Sequence, residues 1–181
     1  NDNNCGTSNL IQSSAIIDSD ASISEEVSIG AYSVVGANVE IDEGSWIGPN
    51  VVINGPTKIG KNNKIFQFCS IGDDPQDKKY KGESESSLEI GDNNVIREYC
   101  SINRGTGPGG GLTRLGNNNW IMAYVHIAHD CMIGNHIVFA NNTTLAGHVC
   151  IDDHVIFGGF TGIHQFCRIG KHSFSAISSI I

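Results

Sequence analysis

The chain has 181 residues, 39% of them hydrophobic, and a formal net charge of −8 at pH 7. This length and composition predict a single globular domain. The negative charge argues against a general nucleic-acid-binding protein. The sequence contains no run of eighteen apolar residues, so it does not predict an integral membrane segment.

The first ten residues, NDNNCGTSNL, have neither the basic nor the apolar part of a secretory signal. We therefore expect a cytoplasmic protein in which residues 1–10 form a flexible tail.

A hexapeptide repeat begins directly after this segment. An aliphatic residue recurs at every sixth position: Ile11, Ile17, Ile23, Ile29, Val35, Ile41, Ile47, Ile53, Ile59, Ile65 and Ile71. Three hexapeptides per coil wind a chain into a parallel β-helix, in which equivalent side chains of successive coils stack on one another. The repeat predicts an all-β fold, a β-helix over residues 11–181.

The repeat slips by one residue at two places, and it resumes at Ile90 and again at Leu115. Residues 73–87 and 105–113 are polar or glycine-rich and lack periodicity, so we expect two loops extruded from the coil. Such loops on a rigid scaffold are often functional. The repeat reaches Ile181 without a cap, and we expect a capping segment to be missing there.

Four of the six cysteines precede an aliphatic repeat position by two residues: Cys69, Cys100, Cys131 and Cys167. Hexapeptide coils place a small inward side chain at that position, so we expect these cysteines to be buried as free thiols. The absence of a CxxC spacing is typical of a protein from a reducing compartment.

All seven histidines follow residue 125. His129 and His148 are nineteen residues apart, and His164 follows about one coil later, so we expect a line of three imidazoles along one edge. The other outward column, His136, His154 and His172, is interpreted as solvated surface.

Three interpretations of the histidine line remain open at this point. His129 precedes Asp130, and a carboxylate can orient an imidazole that acts as a general base. Histidines joined around zinc would form a metal site instead. The third interpretation is an ordinary polar ladder.

Several longer strings resemble the UDP-N-acetylglucosamine acyltransferase family, whose members catalyse the first step of lipid A synthesis. They are PQDKKYKGE, NRGT, HIAHDC, ANNTTLAGHV and HQF, and the resemblance spans residues 11–172. It implies a left-handed β-helix and a homotrimer with active sites between subunits. It also implies transfer of a 3-hydroxyacyl group from acyl carrier protein to the 3-hydroxyl of UDP-N-acetylglucosamine, without a cofactor or a metal.

The same resemblance implies a role for individual residues. His129 is the expected general base, Asp130 its orienting partner, and the backbone N–H of Gly147 the expected oxyanion donor. The remaining family positions fall into three sets: Gln76, Asp77 and Lys79 at the sugar and acyl hydroxyl; His126, His148, His164 and Gln165 along the nucleotide-sugar and phosphopantetheine cleft; and Ile177 as the residue that limits acyl length.

Two departures from the family pattern stand out. Asn103 occupies a position where the family commonly has histidine, although an amide can also donate and accept hydrogen bonds. The family continues into a C-terminal helical domain that is expected to be missing here, which would impair the enzyme.

This second departure keeps a non-catalytic β-helix, serving as a scaffold or oligomerisation module, as an alternative function. A coenzyme-A-dependent hexapeptide acetyltransferase would share the coil but not the QDxKY or LAGH strings. A zinc enzyme resembling the γ-class carbonic anhydrases would need three convergent histidines. The related N-acyltransferase of the same pathway usually carries an additional N-terminal domain.

Overall fold

The computed structural model describes residues 10–82 and 85–181, so the expected flexible tail lies, apart from residue 10, outside the described residues. The described residues form short strands: β1 (Leu10–Ile11), β2 (Ile16–Ile17), β3 (Ser22–Ile23), β4 (Ser28–Ile29), β5 (Val34–Val35), β6 (Val39–Ile41), β7 (Trp46–Ile47), β8 (Val52–Ile53), β9 (Thr57–Ile59), β10 (Lys64–Ile65), β11 (Ser70–Asp73), β12 (Ser87–Ile90), β13 (Val95–Ile96), β14 (Ser101–Asn103), β15 (Leu112–Leu115), β16 (Trp120–Ile121), β17 (His126–Ile127), β18 (Met132–Ile133), β19 (Val138–Phe139), β20 (Thr144–Leu145), β21 (Cys150–Ile151), β22 (Ile156–Phe157), β23 (Gly162–Ile163), β24 (Arg168–Ile169) and β25 (Phe174–Ser175).

Every third strand joins the same sheet, and neighbouring strands are parallel. Sheet A runs from β1 to β25 with nine strands, while sheet B (β2 to β23) and sheet C (β3 to β24) have eight each. Each coil thus contributes one strand to every face of a three-sided prism. The predicted fold class, an all-β left-handed parallel β-helix with two extruded loops, is confirmed. Its handedness is an exception to the usual right-handed crossover of parallel strands.

The aliphatic repeat residues fill the inside of the prism. Ile102, Ile127 and Leu145 follow one another through the register of sheet B, and each is at most 1% exposed. The predicted inward cysteines join them, since Cys69, Cys100 and Cys131 are buried free thiols and Cys167 is half-buried. Burial raises the pKa of Cys131 to about 12, which makes this thiol a packing group and not a nucleophile.

An internal ladder of asparagines supports one corner of the prism. The Oδ1 atom of Asn63 accepts a hydrogen bond from the backbone N–H of Asn94, and Asn94 Oδ1 accepts one from the N–H of Asn119, each at 2.9 Å. All three side chains are buried. The ladder satisfies backbone groups that the chain leaves unpaired where it turns.

The two extruded loops leave the coil at a single corner, between sheets B and C. Loop 1 comprises residues 74–86, between β11 and β12, and loop 2 comprises residues 104–111, between β14 and β15. Loop 2 contains a short 3₁₀ helix at Gly107–Gly109. His129 and Asp130 lie one coil further along the same corner, between β17 and β18. Within the described ranges there is no helix of the length and apolarity that a membrane span requires.

Candidate active site

His129 and Asp130 form a hydrogen-bonded pair at the turn after β17. The Nδ1 atom of His129 lies 2.7 Å from Asp130 Oδ2. The side chain of Asp130 is 1% exposed, whereas that of His129 is 15% exposed. When the proton on Nδ1 is donated to the carboxylate, Nε2 carries a free lone pair. The pair can therefore take a proton from a substrate.

Thr106 of loop 2 holds the Asp130 carboxylate from the other side. Its backbone N–H donates to Oδ1 at 3.0 Å, and its hydroxyl donates to Oδ2 at 2.7 Å. The next turn of loop 2 closes over the same group, because a Cβ on Gly109 would lie 2.3 Å from Asp130 Oδ2. Only a glycine permits this approach. Loop 2 thus fixes the orientation of the carboxylate.

Gly147 occupies the register position one coil above His129. A Cβ at this position would lie 2.5 Å from Cε1 and 2.8 Å from Nε2 of His129. Any larger residue would therefore press on the basic nitrogen of the imidazole. The glycine keeps its own backbone next to the reacting face.

His148 completes a cluster with this pair. Its ring stands edge-on to that of His129 with centroids 5.1 Å apart, and its Nε2 lies 3.9 Å from Asp130 Oδ2. The ring also stacks on Phe166, with centroids 4.6 Å apart and an angle of 12° between the planes. The predicted neighbourhood of His129 and His148 is confirmed.

The position predicted for the third histidine of the line, His164, is wrong. Three hexapeptides per coil make Asp130, His148 and Phe166 equivalent, so Phe166 takes the place that the sequence prediction gave to His164. His164 is exposed at the turn after β23, where its Nδ1 lies 3.2 Å from the carbonyl oxygen of Gln165. His164 follows His148 by sixteen residues, two fewer than a full coil of eighteen, so it falls short of the position that Phe166 occupies.

His126 lies on β17, in the same coil as His129, and is partly buried. Its Nδ1 is 2.7 Å from the hydroxyl oxygen of Ser101. Burial, and after it the nearby His129, lower the pKa of His126 from its ordinary value. The imidazole of His126 is therefore neutral at neutral pH, and it can offer one donor and one acceptor.

Loop 1 and loop 2 enclose a cavity of about 420 Å³ against the coil. Its lining residues are Asp77, Lys79, Tyr80, Thr106, Pro108, Gly109, His148 and Phe166. The predicted residues Asp77 and Lys79 are thus brought to the cluster, while Gln76 is exposed on the same loop. Sequence reasoning missed Thr106, Tyr80 and Phe166, although all three lie within the strings NRGT, PQDKKYKGE and HQF that it had singled out.

Two further predicted positions lie away from the cavity lining. Gln165 is exposed at the register position that follows Gly147. Ile177 is 71% exposed and follows β25 of sheet A, so it lies at a different corner of the prism from His129. Ile177 can meet the pair of one chain only if it comes from a second chain.

A divalent cation is chemically compatible with the cluster. Ligand atoms of His129, Asp130 and His148 lie within 4.8 Å of one another, and two histidines with one carboxylate form a known zinc ligand set. The Asp130 carboxylate, however, already accepts hydrogen bonds from His129 and Thr106. Three histidines do not converge on one point in this cluster, as the carbonic anhydrase alternative requires.

Asn103, the departure from the family pattern, fastens the start of loop 1. Its side chain is buried, and its Nδ2 donates to the carbonyl oxygen of Asp74 at 3.0 Å. Its Oδ1 is buried without a partner among the described residues. An unpaired buried acceptor is costly.

The sequence is similar to one described protein family and to several acyltransferases. Residues 112–147 match the family described as bacterial transferase hexapeptide (six repeats). The chain is 57% identical over 172 residues to an acyl-(acyl-carrier-protein)–UDP-N-acetylglucosamine O-acyltransferase from Herminiimonas arsenicoxydans, covering 95% of this chain and 65% of the relative. It is 52% identical over 170 residues to the enzyme of the same name from Stenotrophomonas maltophilia, covering 94% and 64%.

Solved structures lead to the same group of proteins. LpxA from Acinetobacter baumannii superposes with a TM-score of 0.94 at 53% identity, covering 96% of this chain and 67% of that one. The UDP-N-acetylglucosamine acyltransferase from Francisella novicida gives 0.93 at 48% identity, covering 94% and 62%. The chain spans about two thirds of the length of these relatives.

Proposed function

Because the chain belongs to the UDP-N-acetylglucosamine O-acyltransferase family, we propose that it transfers a 3-hydroxyacyl group from acyl carrier protein to the 3-hydroxyl of UDP-N-acetylglucosamine, the first step of lipid A biosynthesis. The observation that carries this proposal is the His129–Asp130 pair, placed under Gly147 and beside the cavity that loop 1 and loop 2 enclose.

The proposed chemistry needs one base and one oxyanion donor. His129 Nε2 removes the proton of the sugar 3-hydroxyl while that oxygen attacks the thioester carbonyl carbon. The negative charge that develops on the carbonyl oxygen is stabilised by the backbone N–H of Gly147. Collapse of the tetrahedral intermediate breaks the C–S bond, and the imidazolium returns its proton to the departing thiolate. Asp130 stabilises the imidazolium between the two steps.

The cavity provides the remaining contacts. Lys79 and Asp77 line it from loop 1, with opposite charges that suit a polar sugar and an acyl hydroxyl, and Gln76 extends this set. Neutral His126 offers a donor or an acceptor next to the pair, and His148 lies against the aromatic face of Phe166. His164 and Gln165, exposed above the cavity, are assigned to the nucleotide sugar and phosphopantetheine.

The active form is proposed to be a homotrimer in the cytoplasm. Phe68, Tyr99 and Tyr124 stack on one corner with ring centroids 5.1 and 4.8 Å apart, although they are about half exposed. Such a continuous exposed aromatic column favours contact between copies. Contact between copies would also bring the corner of Ile177 to a neighbouring site. The free thiols are typical of a reducing compartment.

The test is product formation by the purified chain. UDP-N-acetylglucosamine and a 3-hydroxyacyl-acyl carrier protein are supplied, and the acylated sugar nucleotide is measured by mass spectrometry. The expected result is a product that is lost in His129→Ala and retained in His154→Ala, a histidine outside the site. A folded trimer without product would favour the scaffold function, and a preference for acetyl-coenzyme A would favour the coenzyme-A-dependent class.

A further inference from the structure

The guanidinium group of Arg104, the first residue of loop 2, is surrounded by acceptors. Its side chain is only 12% exposed. Nη1 donates to the carbonyl oxygens of Gly55 at 3.1 Å and Gly72 at 2.7 Å; Nη2 donates to the Asp74 carboxylate and to the Tyr80 hydroxyl at 3.3 Å; and Nε donates to the Ser86 hydroxyl at 3.3 Å.

These partners are distributed along the whole of loop 1. Asp74 is its first residue, Tyr80 lies near its middle, and Ser86 is its last residue. Gly55, between β8 and β9, and Gly72, in β11, belong to the β-helix itself. A planar guanidinium can serve all these directions at once, whereas a lysine ammonium has three donors and no fixed plane. Arg104 therefore ties loop 1 to the coil at its start, middle and end.

The next two residues carry this connection to the catalytic pair. The carbonyl oxygen of Gly105 accepts a hydrogen bond from the Ser86 hydroxyl at 2.5 Å, and a Cβ on Gly105 would lie 2.2 Å from the backbone N of Leu112. The backbone of Gly105 is thus held between the end of loop 1 and the start of β15. Thr106 then donates twice to the Asp130 carboxylate. Residues 104–106 therefore connect loop 1 to the His129–Asp130 pair.

We propose that Arg104 and Thr106 are positioning residues of the acyl-transfer site, and this inference rests on the proposed function. Arg104 holds loop 1 so that Asp77 and Lys79 face the cavity. Thr106 acts through Asp130, whose carboxylate it keeps in line with Nδ1 of His129. The two residues therefore support different parts of the reaction, substrate binding and proton transfer.

Arg104→Lys is expected to raise KM for UDP-N-acetylglucosamine on the order of tenfold. It should change kcat less than about threefold, because the hydrogen-bonded pair of His129 and Asp130 stays intact. Arg114→Lys is the matched control, since Arg114 donates from Nε and Nη2 to a single oxygen, Oε2 of Glu89, in an exposed ion pair on sheet C. It should leave both constants unchanged.

Thr106→Val is expected to show the opposite split, lowering kcat on the order of tenfold with little change in KM. The acid limb of the pH profile of kcat/KM should move to higher pH, because a carboxylate with one donor fewer stabilises the imidazolium more strongly. Thr106→Ser keeps the hydroxyl and should restore both. The control is Thr143→Val, which removes another buried hydroxyl, one that donates to the carbonyl oxygen of Ala140 at 2.8 Å.

A readout without catalysis separates this inference from the proposed function. Amide hydrogen exchange of residues 74–86 should accelerate at least several-fold in Arg104→Lys but not in Arg114→Lys. If Arg104→Lys does not fold, Tyr80→Phe removes one of its contacts and is measured in its place. Unchanged exchange in loop 1 would overturn the role of Arg104 even if the chain transfers no acyl group. A Thr106→Val profile equal to that of Thr143→Val would overturn the role of Thr106.

Discussion

The imidazole of His129 and the carboxylate of Asp130 are joined at 2.7 Å although the two residues are adjacent in the chain. Adjacent residues of an extended strand would point to opposite faces. The pair forms because the chain turns here, with Asp130 at a φ of 59°. The corner of the β-helix therefore creates the arrangement that a base and its orienting group require.

The first prediction concerns the register of the coil. Ile127→Ala should lower the free energy of unfolding by about 2 to 5 kcal/mol, because it removes a fully buried side chain and leaves a cavity. Lys61→Ala, at an exposed ion pair with Glu43, should leave it almost unchanged. Chemical denaturation of both variants checks this. Equal effects would contradict the six-residue register.

The second prediction concerns the internal asparagine ladder. Asn94→Ala removes the acceptor for the buried N–H of Asn119 and the donor to the partly buried carbonyl oxygen of Gly116. Leaving such groups unpaired should cost about 1 to 3 kcal/mol of unfolding free energy. Exposed Asn141 offers the control, and Asn141→Ala should be near neutral. The thermal midpoints of the two variants check this, and equal midpoints would contradict a stabilising role of the ladder.

The third prediction concerns the outward histidine column. His136, His154 and His172 stack with ring centroids 4.9 Å apart at each step. Desolvation, followed by the charges of His136, His172 and Lys171, lowers the pKa of His154 from 6.5, and Asp153 opposes this shift.

The unfolded chain therefore binds this proton more readily than the folded one. The contribution of His154 to the free energy of unfolding is fully present above about pH 6.5, the pKa in the unfolded chain, and is lost as the pH falls from there through the lower pKa of the folded chain. The thermal midpoint should drop on acidification to about pH 5, and less steeply in His154→Asn. Identical slopes in the two proteins would exclude the column as the cause.

The fourth prediction concerns the acyl donor. A bulky, β-branched residue such as Ile177 should close the acyl groove and favour a shorter 3-hydroxyacyl chain. At about 0.8 kcal/mol for each buried CH₂, two or three excluded methylenes correspond to a change of roughly ten- to sixtyfold in selectivity. Ile177→Gly should shift the preference toward longer donors in a competition between two chain lengths. An unchanged preference would remove Ile177 from this role.

The repeat made the fold predictable because a period of six specifies each coil independently of distant residues. The two slips in phase likewise located the loops, since a rigid coil cannot absorb an extra residue inside a strand. The site was only partly predictable. Thr106 and Arg104 act through contacts between coils and loops that no local pattern encodes. His164 was misplaced because it follows His148 by sixteen residues, whereas three hexapeptides place equivalent residues eighteen apart.

The most direct test of the account is the turnover number of His129→Ala in the acyl-transfer reaction. Loss of the general base should lower kcat by a factor on the order of 10² to 10⁴, while the oligomeric state and thermal midpoint stay close to those of the unmodified chain. His154→Ala, which removes an imidazole from the outward column, should keep nearly full turnover. A folded His129→Ala variant with nearly full activity would contradict the account, because the proton would then be taken by another group.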